Sequence, residues 1–166
     1  MVRHLFSLVD WCPAAPICSQ NAHSVNIRSA LHSDIPLLVE LDPIADREAG
    51  RREFIAQSVA AGQCWVATGP GQEASPLGYG VLNRAFFDHP FIALVVVKSS
   101  ARRRGVATAI VRSLASQCDG AKLFTSTNTS NLPMRALLEE LGFVASGRID
   151  NLDDGDPELV FVKFFD

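Results

Sequence analysis

A single α/β domain, with a mixed, mostly antiparallel central sheet flanked by helices, is predicted by three features of this sequence. Short apolar segments recur along it, "VNIR", "CWVAT", "LGYGVLNRAFF", "FIALVVV", "AKLFTST", "GFVASGRI" and "PELVFVKFF", with the alternating or continuous apolar pattern of strands. Between them lie stretches whose apolar residues return every third or fourth position, as on a helix that buries one face. Several of the strands are joined by short, turn-rich loops, so they should close as antiparallel hairpins.

The whole-chain properties agree with this reading. A length of 166 residues fits one core better than two. With 48% hydrophobic and 20% charged residues, the chain has enough apolar surface to offset the entropy of ordering. A net charge of −3 argues against a general nucleic-acid or anionic-membrane binder, which usually carries a broad basic field. The longest apolar run, Phe91 to Val97, is far short of the ~20 residues of a membrane helix. At the N-terminus the apolar stretch Leu5–Val9 is broken by Asp10 and is shorter than the ~7–15 residues of a secretory core. Residues 1–23 therefore read as an extension, and 24–166 as the domain. Cys12, Cys18, Cys64 and Cys118 form no Cys-x-x-Cys pair and have no histidines at zinc spacing beside them, so a reduced, metal-free, cytoplasmic protein is expected.

Taken in order, Val25–Arg28 is the first strand, and Ser33 caps a helix with Pro36 in its first turn and Ile35, Leu38 and Leu41 on one face. A second helix covers about 46–60, with Phe54, Ile55 and Val59 as its apolar stripe. The next three strands form a meander, with "GPGQEASPLG" at 69–78 as a hairpin loop. Val106, Ile110 and Leu114 then mark an amphipathic helix that leaves Arg112 and Gln117 to water. After "AKLFTST", a helix carrying Leu132, Met134, Leu137, Leu138 and Leu141 has Pro133 in its first turn and Gly142 as its stop. The last two strands flank an acidic turn, Asp150 to Asp156. This order, βααβββαβαββ, implies one crossover, at the helix that begins after the arginines.

The stretch "VVVKSSARRRGVATAI", Val95 to Ile110, carries the functional signal. Arginines beside a helix N-terminus add to the attraction for anions that its unpaired N–H groups and dipole already exert. Gly105 permits close backbone approach, and Ala107 keeps the turn thin. No Lys-Ser/Thr follows the glycine and no Gly-x-Gly-x-x-Gly is present, which excludes a P-loop and a dinucleotide fingerprint. On this segment alone, a pyrophosphate site and a solvated basic turn with a helix-packing glycine both remain open.

Arg102-Arg103-Arg104-Gly105-Val106-Ala107 after a strand resembles the acetyl-CoA motif of the GNAT superfamily of N-acetyltransferases, Arg/Gln-x-x-Gly-x-Gly/Ala. "NLPMRALLEELGF", Asn131 to Phe143, is similar to that family's second element, an Asn followed by a helix and a Gly-Phe. The resemblance covers about residues 24–165 and implies a GNAT-like fold with acetyl-CoA as cosubstrate. It further implies that the Val95–Val97 strand pairs with the pantetheine arm, that amides from about Arg103 to Ala107 hold the pyrophosphate, and that one or two of Arg102, Arg103 and Arg104 touch phosphate. Asn131 matches a CoA-side Asn, with helix capping as its alternative role; Asn128 has the same two options.

Acetyl transfer to an amine needs a deprotonated nucleophile, a donor to the developing oxyanion and a proton for the departing thiolate. By resemblance the oxyanion donor is a backbone N–H near Val96 or Val97. The positions that often carry the family's tyrosine acid and a strand carboxylate are Leu138 and Ala93, both apolar. Candidates for the unfilled roles are Asp88 with His89, Tyr79, and Asp150, Asp153, Asp154 and Glu158; their alternatives are turn, packing and solvated-loop residues. The expected activity is N-acetylation of a primary amine on a small molecule or peptide, by a monomer or homodimer that binds neither nucleic acid nor membrane. An acetyl-CoA sensor without efficient transfer is the second reading, and a nucleic-acid patch at Arg102–Arg104 the third.

Overall fold

The computed structural model describes residues 24–72, 74–118 and 120–165; the extension at 1–23, with Cys12 and Cys18, lies outside them. Seven strands form one sheet in the order β1-β2-β3-β4-β5-β7-β6. They are β1 (Asn26–Ser29), β2 (Cys64–Thr68), β3 (Pro76–Phe86), β4 (His89–Val97), β5 (Lys122–Asn128), β6 (Val144–Ile149) and β7 (Glu158–Phe164). The helices are α1 (Ile35–Leu41), α2 (Pro43–Arg47), α3 (Ala49–Ala60), α4 (Val106–Ser116) and α5 (Leu132–Glu140). The expected meander is present: β2, β3 and β4 pair antiparallel in sequence order.

Two cores form, one on each face. Ile110, Val111 and Leu114 of α4 pack with Leu138 and Leu141 of α5, Leu123 and Phe161 on one side. Leu38, Ala45, Ile55 and Val59 from α1–α3 meet Val66, Tyr79 and Val81 on the other. Glycine lets α4 lie close to the sheet. A Cβ on Gly80 would come within 2.5 Å of Ile110 Cγ2 and 2.9 Å of Leu114 Cδ1, so any side chain there would push the helix away. No described helix is long and apolar enough to cross a membrane.

Three expectations need correction. Ser33 does not cap α1: Asp34 takes the local donors instead, accepting from Leu31 N at 2.7 Å and from Arg28 at 2.7 and 2.9 Å. The Arg28 hydrogen bonds hold the Asp34 carboxyl below its ordinary range, despite the opposing effect of burial. The helix expected over 46–60 is two helices, because the backbone at Glu48 is extended (φ −117°, ψ 117°). Finally, there are two crossovers. β4 runs parallel to β5, and β6 is parallel to β5 as well because antiparallel β7 lies between them. The hairpin is readable from its acidic turn, but the side on which β7 inserts depends on the rest of the sheet.

Candidate active site at the open half of β4

The site begins with an irregularity in β4. Val81 faces Leu94 and Leu82 faces Ile92, so Ala93 is an extra residue with no partner on β3. Such a bulge bends a strand and disturbs its ladder. Pairing with β5 is confined to Phe91↔Phe124 and Ile92↔Thr125, the residues just before the bulge, where Thr125 Oγ1 also donates to Ile92 O at 3.0 Å. Beyond it β4 keeps β3 and loses β5.

The register then assigns the free backbone groups. Lys98 N donates to Leu77 O at 2.8 Å, directly across from it. In an antiparallel ladder hydrogen-bonded pairs alternate, so Val96 bonds Tyr79, whereas the N–H and C=O of Val95 and Val97 face away from β3 into the gap. These are the two residues expected to pair with an extended ligand.

The chain next passes through a short 3₁₀ turn, Ser99–Ala101, anchored by buried Ala101. Arg103 and Gly105 both have left-handed backbones, with φ 59° and 77°. Gly105 caps α4, and its carbonyl accepts from Ala109 N at 2.9 Å. Among the described residues, the N–H groups of Val106, Ala107 and Thr108 have no backbone acceptor, as expected for a helix start. Arg102, Arg103 and Arg104 are exposed, and none pairs with a described carboxylate. A Cβ on Gly105 would meet nothing within 4 Å. The turn is therefore cationic, rich in unpartnered donors and open, which fits a pyrophosphate.

Beside it lies a cavity of about 380 Å³, lined by Leu41 and Pro43 at the α1–α2 corner, Pro76 of β3, and Val97, Lys98 and Arg102. Glu40 also lines it. It was not singled out from the sequence because an exposed glutamate on a helix carries no local signal.

The remaining candidates are placed as follows. Tyr79 is wholly buried, and its hydroxyl donates to Asp42 Oδ2 at 2.7 Å, so it cannot touch a substrate. Burial first, and then the Asp42 hydrogen bond and charge, push its ionisation upward. Asp88 sits with Phe87 in the two-residue β3–β4 turn, with φ 62° and 48°, and His89 follows it. Nine residues of β4 at about 3.3 Å each put this turn ~30 Å from the arginines. Asn131 caps α5, accepting from Met134 N at 3.3 Å while its amide donates to Thr127 Oγ1 at 3.0 Å. Asn128 donates to Asp153 at 2.7 Å and to Asp156 O at 3.2 Å. Within the acidic loop Asp150 pairs with Arg148 at 2.6 Å, and Asp156 accepts from Ser130. Asp154 and Glu158 have no side-chain partner among the described residues. Leu138 is 1% exposed within the α4-side core, so the position of the missing tyrosine is enclosed by apolar packing.

Comparison with known proteins decides the family. The family model described as "Acetyltransferase (GNAT) family" matches residues 29–143, more than half of the chain. The protein belongs to the GNAT acetyltransferase family. Among solved structures it is similar to a GNAT-family acetyltransferase from Bacillus cereus ATCC 10987, with 32% identity, TM-score 0.77, and 85% of this chain and 97% of that one covered. It shares its fold with Ard1 from Thermoplasma volcanium (18% identity, TM-score 0.72, 84% and 97% covered). It also shares it with yncA, a putative acetyltransferase from Salmonella typhimurium determined with its cofactor acetyl-CoA (15% identity, TM-score 0.68, 86% and 94% covered). No curated protein matches the sequence. As a GNAT N-acetyltransferase, the protein uses acetyl-CoA. The family match spans the bulge, the open β4 edge and the arginine turn.

Proposed function

We propose that this GNAT enzyme acetylates a primary amine on a small molecule or peptide, with acetyl-CoA held along the open half of β4. The supporting observation is the continuity of an unpaired strand edge at Val95 and Val97 with the unpartnered amides and free arginines of the turn that follows. Val97 and the C=O of Val95 pair with the pantetheine arm as an added strand would. Arg103 to Ala107 hold the pyrophosphate through backbone N–H groups, with one or two of Arg102, Arg103 and Arg104 adding charge. Bound acetyl-CoA supplies an acetyl thioester whose leaving thiol has a pKa of about 8.5, so it departs with modest help from an acid.

This lessens the importance of apolar Leu138. The acetyl group lies at the end of the arm farthest from the pyrophosphate turn, and of the residues near the expected Val96 and Val97 the register commits Val96 N–H to Tyr79. The outward N–H of Val95 is therefore the donor for the carbonyl oxygen as it gains charge, a role that requires no particular side chain. Glu40, in the adjoining cavity, takes the amine's proton through water. The acidic loop is left a smaller part, since Asp150, Asp153 and Asp156 have local partners; Asp154 and Glu158 remain to attract a cationic acceptor.

Apolar Ala93 and Leu138 favour a second reading, an acetyl-CoA sensor without efficient transfer. Thiol release from acetyl-CoA over polyamines, aminoglycosides, amino acids and N-terminal peptides separates the two. Amine-dependent turnover with one class supports the enzyme and names its acceptor, whereas acetyl-CoA binding without turnover on any of them supports the sensor.

A further inference from the structure

Tyr79 and Asp42 form a buried polar pair for which the chemistry above has no use. Tyr79 is 0% and Asp42 1% exposed. Asp42 Oδ2 accepts from the phenol at 2.7 Å, Oδ1 accepts from Ile44 N at 2.9 Å, and Arg51 Nε lies 3.8 Å from Oδ2. Burying a carboxylate is costly even when it is well partnered, and apolar residues of similar volume often serve stability equally well. The location of this pair indicates what it does.

Asp42 is the residue between α1 and α2, and its neighbours Leu41 and Pro43 line the cavity opposite Val97 and Lys98. Tyr79 lies across from Val96 in the ladder. A short, stiff connection therefore runs from the open half of β4 through Val96 and Tyr79 to Asp42 and the α1–α2 corner. The contact joins residues 37 apart in sequence, and α1 and α2 have only 7 and 5 residues, too few to hold such a corner by themselves.

We propose that Tyr79 and Asp42 are positioning residues: their hydrogen bond fixes the α1–α2 corner over the end of β4 and so sets where the amine acceptor lies relative to Val95 and Val97. The inference rests on the acetyltransferase reading and on the cavity as the acceptor's side of the site. The phenol stays a donor because burial keeps it protonated.

The test compares Tyr79→Phe, which deletes the donor, with Asp42→Ser, which can still cap α2 but is too short to reach the phenol, and with Asp42→Asn, whose Oδ1 still accepts from Ile44 N and whose Nδ2 keeps the link to Tyr79 by donating to the phenol oxygen, the reverse of the wild-type bond. Each is assayed below its unfolding midpoint with the best amine, and the Kd of acetyl-CoA is measured by calorimetry. Tyr79→Phe and Asp42→Ser should each lower amine kcat/KM about tenfold or more with the acetyl-CoA Kd within about twofold, and Asp42→Asn should restore kcat/KM to within about threefold of wild type. If one of the first two does not fold, the other carries the test. Reduced thermal stability with unchanged kcat/KM would overturn the proposal, as would a parallel loss of acetyl-CoA affinity or a failure of Asp42→Asn to restore activity. A wild type that binds acetyl-CoA and acetylates no amine would instead overturn the underlying reading.

Discussion

The two halves of β4 have opposite fates. From His89 to Ile92 the strand is joined to β3 by a tight turn and reaches β5 through Phe91 and Ile92, with Phe86, Phe91 and Phe124 in ring contact beside it. From Val95 to Val97 it has a neighbour on one side only and leads into a turn of unpaired cations. One strand thus supplies both a foundation and an open edge. The residue that divides them is Ala93: an extra residue in a ladder costs pairing locally, and here the lost pairing leaves backbone donors for a ligand.

The largest effect is expected at the far end of the open half. Gly105→Glu should weaken acetyl-CoA binding at least about a hundredfold, because it places negative charge where three free arginines and the α4 N-terminus attract an anion. The domain should remain folded, since a Cβ there meets no atom and a left-handed non-glycine residue costs only about 1–2 kcal/mol. Gly105→Asn, which tolerates that conformation, should stay within about tenfold of wild type. Calorimetry on both variants, with circular dichroism as the folding control, gives the answer.

Within the strand the effect should depend on which way an N–H points. Val95→Pro removes an outward donor and leaves the β3 ladder intact, so kcat should fall about 10²-fold, the usual loss for one oxyanion donor, with thermal stability lowered only modestly. Val96→Pro, which deletes an N–H the register assigns to Tyr79, should unfold the sheet. Equal behaviour of the two would mean that the alternation is misassigned. The smallest effect is expected at the closed end. Replacing Phe87-Asp88 by Asn-Gly suits the positive φ angles of that turn and should raise stability by about 1 kcal/mol in thermal unfolding. Steady-state acetyl transfer should be unchanged, because the turn lies ~30 Å from the chemistry.

Much of the arginine turn is legible in the sequence because its determinants are local. A glycine after three arginines, and apolar residues at every fourth position beyond it, require only short-range rules to become a cationic helix start. The openness of β4 is not legible in this way: "FIALVVV" reads as one continuous core strand, and only the register against β3 reveals that Ala93 is supernumerary. Tyr79 misleads for the same reason. The sequence's lone tyrosine suggests an acid, yet a contact 37 residues away makes it a buried strut. Asp42-Pro43 could have been read as a cap followed by proline at the first helical position, but its second partner could not.

Amide hydrogen exchange with and without acetyl-CoA tests the central claim most directly, because it reports on both halves of β4 in one experiment. Residues Val95 and Val97 and the amides from Arg103 to Ala107 should gain protection when acetyl-CoA is added, while Phe87 to Ile92 should exchange at the same rate in either state. Protection confined to the closed half, or none at the turn under saturating acetyl-CoA, would contradict the assignment of the open edge as the binding site.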